Sequence, residues 1–119
     1  MKRISILFIL LYSLSAQESY YESDLSSTGV NQLIIFQDSI NSLEPGDEIG
    51  IFDSSGITNS GDCTSQINEL LVGSEVWLGN QLEISAVGSV DNCAFGGSQL
   101  PGFQNGNSVI INVYRPSTG

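Results

Sequence analysis

Gln81-Leu82-Glu83-Ile84-Ser85-Ala86-Val87 decides how this chain folds. Leu82, Ile84 and Ala86 alternate with Gln81, Glu83 and Ser85. Side chains of a β-strand point alternately to opposite faces, so a period of two marks a strand with one buried face. Just upstream, Gly79-Asn80 has the chemistry of a hairpin-like turn, and Val76-Trp77 before it favours extended backbone. Residues 67–78 admit two readings. Ile67, Leu70 and Leu71 would share one helical face, but Gly73 interrupts that pattern, and at least residues 75–78 are expected to be extended.

The same signs recur along the chain. Leu33-Ile34-Ile35-Phe36 is an apolar run of strand length within residues 30–40, rich in β-branched and aromatic side chains. Glu44-Pro45-Gly46-Asp47 reads as a type II turn, with proline setting the first central φ and glycine taking the positive second one. A strand follows over residues 48–52, and Asp53-Ser54-Ser55-Gly56 is expected to turn the chain. Residues 88–107 are glycine-rich and contain Cys93, Phe95, Pro101 and Phe103. Residues 108–115 place Val109, Ile111 and Val113 on one face and Ile110, Asn112 and Tyr114 on the other.

Five or six short strands joined by turn residues, with no convincing long helix, predict an all-β fold. The spacing suits an antiparallel β-sandwich, Ig-like or jelly-roll-like, over residues 29–119. The strand over residues 108–115 is followed directly by the turn-forming Pro116-Ser117-Thr118-Gly119. The expectation is a sandwich that lacks a final strand, or one followed by further domains of a longer protein.

The 119 residues carry 13 Asp plus Glu, 3 Lys plus Arg and no histidine. Nucleic acid as a partner would need clustered cations to displace phosphate counterions, and none exist. Without histidine, a Ser-His-Asp triad, a Cys-His dyad and a histidine metal site are all excluded. No G-x-S-x-G elbow occurs, and no P-loop lysine follows the glycines. Asp47 and Asp53 could in principle act as an acid–base pair in glycoside cleavage, but so short a chain has little room for both a sandwich and a deep groove. The chain is expected to be non-enzymatic.

Two of the cations, Lys2 and Arg3, precede an apolar stretch over residues 4–14, and Ser13-Leu14-Ser15-Ala16 supplies small residues for cleavage. This order is that of a secretory signal over residues 1–16. The stretch is about half of the ~20 residues that span a bilayer, so no transmembrane segment is expected once it is removed. Residues 17–28 then form a polar leader, either loose or a first edge strand. Export places Cys63 and Cys93, both among polar turn residues, in an oxidising setting that favours pairing them. A loop of that length corresponds to roughly 3–4 kcal/mol in the chain-entropy view.

Leu43-Glu44-Pro45-Gly46-Asp47-Glu48-Ile49-Gly50-Ile51-Phe52-Asp53, then Val76-Trp77-Leu78-Gly79-Asn80-Gln81-Leu82-Glu83-Ile84, then Gly102-Phe103 and Val113-Tyr114, resemble a recurrent extracellular β module. Such modules occur in large secreted or surface proteins of Gram-negative bacteria with type IX secretion. The relatives carry a "PGDEIGVFD" turn-strand, a "W-x-G" hairpin and an "F-x-V-W-D" final strand. This chain has Tyr114-Arg115 where they often have Trp-Asp. The resemblance covers residues 29–119 and implies a non-catalytic module of a longer surface protein.

Three functions are expected from these features: a secreted structural or adhesion module, a carbohydrate-binding module of a secreted hydrolase, or a subunit that self-assembles through exposed strands. For glycan binding the candidate stacking residues are Trp77 and Tyr114, with Tyr20, Tyr21 and Phe103 as further aromatics, although a Trp77 placed just before the Gly79-Asn80 turn more often packs over the edge of the core. Calcium takes six to eight oxygen ligands, and Asp47, Asp53, Asp62 and Asp91 are its candidate ligands here. Solvated turn carboxylates are the default reading of those four residues. For self-assembly the candidate strands are Ile34-Ile35-Phe36 and Val109-Ile110-Ile111. Expected partners are therefore other domains of a longer chain, or cell-surface and glycan partners.

Overall fold

A computed structural model describes residues 19–119. The expected signal segment lies outside the described residues. Seven strands follow in order: β1 (Asn31–Phe36), β2 (Glu48–Ile57), β3 (Ile67–Val76), β4 (Leu82–Val87), β5 (Val90–Asp91), β6 (Gln99–Leu100) and β7 (Val109–Tyr114). A 3-10 turn spans Cys93–Phe95. The fold is all-β, as the alternation predicts.

Every strand pair is antiparallel. One sheet has the order β3-β2-β7, a second pairs β1 with β4, and a short ribbon pairs β5 with β6. The two main sheets stack into a sandwich-like arrangement. Their shared core is Phe36, Ile49, Ile51, Val72, Trp77, Ile84 and Ala86. Glycine at position 73 allows the close approach, since a Cβ there would lie 3.0 Å from both Ile84 Cγ2 and the Ser85 carbonyl oxygen.

Two expectations about chain reversal change. The Gly79-Asn80 segment does not form a hairpin: β3 pairs with β2 and β4 with β1, so the chain crosses between sheets there. The cause lies at Trp77, whose N–H donates to the Asp47 carbonyl at 2.7 Å while its own carbonyl accepts from Gly46 N–H at 2.8 Å. These bonds hold Trp77 in the first sheet, and Gly79, at φ 94°, then directs the chain across. Likewise Asp53-Ser54-Ser55-Gly56 does not end a strand. β2 continues to Ile57 through irregular register between Asp53 and Gly56, with the Asp53 carboxylate accepting from Ser55 N–H at 2.9 Å. The Glu44–Asp47 turn closes as expected, with Asp47 N–H donating to the Glu44 carbonyl at 3.0 Å and Gly46 at φ 101°.

Residues 67–76 are strand throughout. In this stretch cross-strand pairing with β2 outweighs the helical spacing of the apolar residues. The polar leader is neither loose nor a strand over its described residues, 19–28. It runs across the outer face of the three-stranded sheet, where Glu48 accepts from the N–H groups of Tyr20 and Tyr21 at 2.8 and 3.1 Å. Ser74 and Ser23 add hydroxyl bonds to the carbonyls of Tyr21 and Leu71.

Candidate functional site

The acidic residues singled out in the sequence fall at three separate places. Among the described residues no three His, Cys, Asp or Glu side chains come together in a group that could hold a metal ion. Asp47, Asp53, Asp62 and Asp91 thus do not converge as a calcium cluster would, because each carboxylate is occupied by donors of the protein, Asp47 by Arg115, Asp53 by Gln104 and Asn107, Asp62 by Asn59 and Thr64, and Asp91 by Cys93 N–H and Gln99.

Asp47 lies at the turn before β2 and is fully buried. Its Oδ1 accepts from Arg115 Nε at 2.9 Å and its Oδ2 from Arg115 Nη2 at 2.7 Å, a forked pairing of guanidinium and carboxylate. Glu44 N–H adds a third bond at 2.9 Å. Arg115 holds the Asp47 carboxyl below the ordinary carboxylate range, against the opposing effect of burial. The guanidinium also reaches the Ser42 carbonyl at 2.9 Å.

Asp53 sits where β2 bulges and is likewise buried. Burial pushes its carboxyl upward, but donors from Gln104 N–H at 2.8 Å, Ser55 N–H, and Asn107 Nδ2 at 2.9 and 3.0 Å bring it below the ordinary value. Its work is to fasten the loop before β7. A cavity of about 200 Å³ lies alongside, between Ile34 of β1, Ile51, Val72 and Ala86 of the core, and Val109 of β7.

The third place is the disulfide end. Cys63 and Cys93 are bonded, with Cα atoms 6.2 Å apart, as the sequence leads one to expect. Beside them Gln99, buried on β6, joins the two cysteine loops. Its Oε1 accepts from Asn59 Nδ2 and Ser65 N–H, both at 2.9 Å. Its Nε2 donates to Ser65 Oγ at 2.9 Å and to Asp91 at 3.1 Å. Asp62 receives Asn59 Nδ2 and Thr64 Oγ1, each at 2.8 Å. Hydrogen bonds from Thr64 and Asn59 lower the Asp62 carboxyl, and those from Cys93 N–H and Gln99 lower that of Asp91.

The aromatic residues separate in the same way. Trp77 is only 2% exposed, so the glycan-stacking expectation fails for it: the indole fills the core and offers no face to a sugar. Tyr114 stacks on Tyr20 with ring centroids 3.9 Å apart and planes 6° from parallel. One face of the Tyr114 ring is therefore already covered. Tyr21 meets Tyr20 and Phe52 edge-on, which fastens the leader to the sheet.

The sequence reading passed over Gln99 and Asn107 and took Glu48 only as one more acidic residue beside a loop, yet each of the three ties segments together over long distances in the chain. Only Glu48 carried a hint, as a carboxylate at the first position of an otherwise apolar strand. Among the described residues, no buried side-chain nitrogen or oxygen lacks a hydrogen-bond partner. The chain matches no family model, no curated protein and no solved structure. No helix among the described residues is long and apolar enough to cross a membrane.

Proposed function

We propose that this chain is an exported, non-catalytic β-sandwich scaffold, a structural or adhesive module of a bacterial surface or extracellular protein. The observation that carries this reading is how the buried polar groups are used. Asp47, Asp53, Glu48 and Gln99 each bind backbone or side chains of a distant segment. Catalytic groups are commonly held poised, with a pKa moved toward the working pH. The resolved shifts of Asp47 and Asp53 run the other way, which suits carboxylates that act as permanent acceptors.

The disulfide supports an oxidising destination. The surplus of carboxylates over cations suits a soluble, mutually repelling surface module. The resemblance to modules of type IX secretion-associated bacteria points to the same setting. The test is expression of the full chain in a Gram-negative host carrying that secretion route. The expected product is cleaved after Ala16, found outside the inner membrane, and runs faster on a gel without reductant than with it. An intact, reduced chain held in the cytosol would overturn the reading. Attachment of cells to surfaces, compared with and without the gene, then tests the adhesive role.

A further inference from the structure

The two layers of the sandwich are unequal, and the difference leaves one side open. Ile49, Ile51 and Asp53 face inward from β2, and their cross-strand partners on β7 are Val113, Ile111 and Val109. Directly opposed residues share a face of the sheet. The inner face of β7 is therefore apolar, yet these three side chains are 45%, 47% and 59% exposed. The covering sheet has only β1 and β4, and β4 lies over β3. β1 and β7 both line the cavity between the layers, so their unpaired edges border the same open side.

Charge distinguishes these edges from the others. Of the chain's 13 carboxylates none lies on β1 or β7, whereas β3 carries Glu69 and Glu75 and β4 carries Glu83. Charged side chains on an edge strand block pairing with another chain. A molecule with net charge −10 can approach its own copy most closely where that charge is absent.

The topology also makes the open side self-complementary. The chain passes from β1 to β2 and from β3 to β4 between layers at one end of the sandwich, so β1 runs in the same direction as β7. A half-turn about a line parallel to the strands preserves strand direction and exchanges the two layers. A second copy placed by that rotation sets its β7 beside β1 and its β1 beside β7, in parallel pairing. Two layers of five strands result, with the inner faces of the two β7 strands against each other. Both open edges close at once, which ends growth at two copies.

We infer that this chain forms a two-fold dimer through β1 and β7, burying Val109, Ile111 and Val113 at its centre. The inference stands on the edge geometry and is independent of export. The open side is one strand long and two sheets deep, on the order of 600 Å² per copy, near the lower end of stable interfaces. Dimerisation is therefore expected at micromolar concentration. It should strengthen as salt screens the repulsion between acidic copies.

Sedimentation of the purified chain from about 1 to 100 µM tests this, since a Kd in the micromolar range corresponds to such an interface. A monomer–dimer equilibrium that tightens with added NaCl is expected. Ile111→Lys places like charges across the two-fold axis and should weaken it at least tenfold, whereas Leu78→Lys, on the exposed crossing between layers, should leave it unchanged. Thermal unfolding of each variant at low concentration shows that the monomer still folds. Hydrogen exchange adds the location: amides of β1 and β7 should gain protection with concentration. A monomer under all conditions, filaments in place of dimers, an undiminished Ile111→Lys dimer, or protection confined to β3 and β4 would each overturn the inference.

Discussion

Arg115 grips Asp47 through two nitrogens, Nε to Oδ1 at 2.9 Å and Nη2 to Oδ2 at 2.7 Å, across 68 residues of sequence. The pair fastens the end of β7 to the turn that begins β2, and Asp47 has no access to water there. A carboxylate in that position needs its cation, because an unpaired buried charge is strongly unfavourable. Arg115→Met should therefore lower the thermal unfolding midpoint more than Arg115→Lys, which keeps the charge but loses the fork. It should also let the Asp47 carboxyl rise, visible by NMR titration of the side chain. Equal midpoints for the two variants would show that a cation without the fork contributes nothing, and an Arg115→Lys midpoint equal to that of the parent chain would show that the forked geometry contributes nothing.

Acid should destabilise the fold in a defined window. The carboxyls of Asp47, Asp53, Asp62 and Asp91 lie below the ordinary value of 3.8 in the folded chain. The unfolded chain then binds protons first as pH falls, so the stabilisation is full above about pH 5 and is lost as pH drops through the folded values. Urea midpoints are expected to be flat from neutrality to about pH 5 and to fall steeply below about pH 4. Asp53→Asn leaves Asn107 and Gln104 competing for one acceptor oxygen, should destabilise by about 1–3 kcal/mol, and should make the acid limb shallower.

The cross-link closes a loop between positions 30 apart in sequence. Replacing both Cys63 and Cys93 with serine should reduce unfolding free energy by roughly 3–4 kcal/mol, read from urea melts. The Gln99 bonds between the same loops should then carry more of the load. Gln99→Leu in the serine background is expected to destabilise beyond the sum of the two separate changes.

Trp77→Ala should reduce stability by about 3–5 kcal/mol, because it empties a core position rather than a surface one. Near-ultraviolet circular dichroism and a melt check this. A variant with unchanged stability would put the indole back at the surface as a candidate for glycan stacking.

Gly102→Ala tests the close approach of loops at the other end of the sandwich. A Cβ at Gly102 would run into the backbone of Gly88 and Ser89, neither of which can turn aside as a side chain could. The Ser89 and Phe103 bonds that hold that crossing, 2.9 Å each, would have to open. A loss of at least 1–3 kcal/mol is expected, with poor expression at 37 °C as the first sign.

The fold class was legible because its signals are local. Alternation over Gln81–Val87 and the Pro45-Gly46 turn depend only on the geometry of a pleated chain and on the φ each residue tolerates. Pairing of Cys63 with Cys93 was legible for a different reason, since a chain with two cysteines offers each of them one partner. The leader was misread because Tyr20 and Tyr21 gain their order from Glu48, 28 and 27 residues away. Trp77 carried two readings, packing over the core and an exposed stacking face, and only the layer stacked above it decides for the core.

By itself the sequence determined that the chain is built of strands, that Pro45-Gly46 turns it, and that clustered cations and histidine chemistry are absent. The tertiary structure alone decided which strands pair, that Gly79 leads across to a second sheet, that Arg115 meets Asp47, and that the inner face of β7 stays open. The physical reason is range. Backbone preferences act within a few residues, whereas burial and the pairing of charges depend on which distant segments share the same few ångströms.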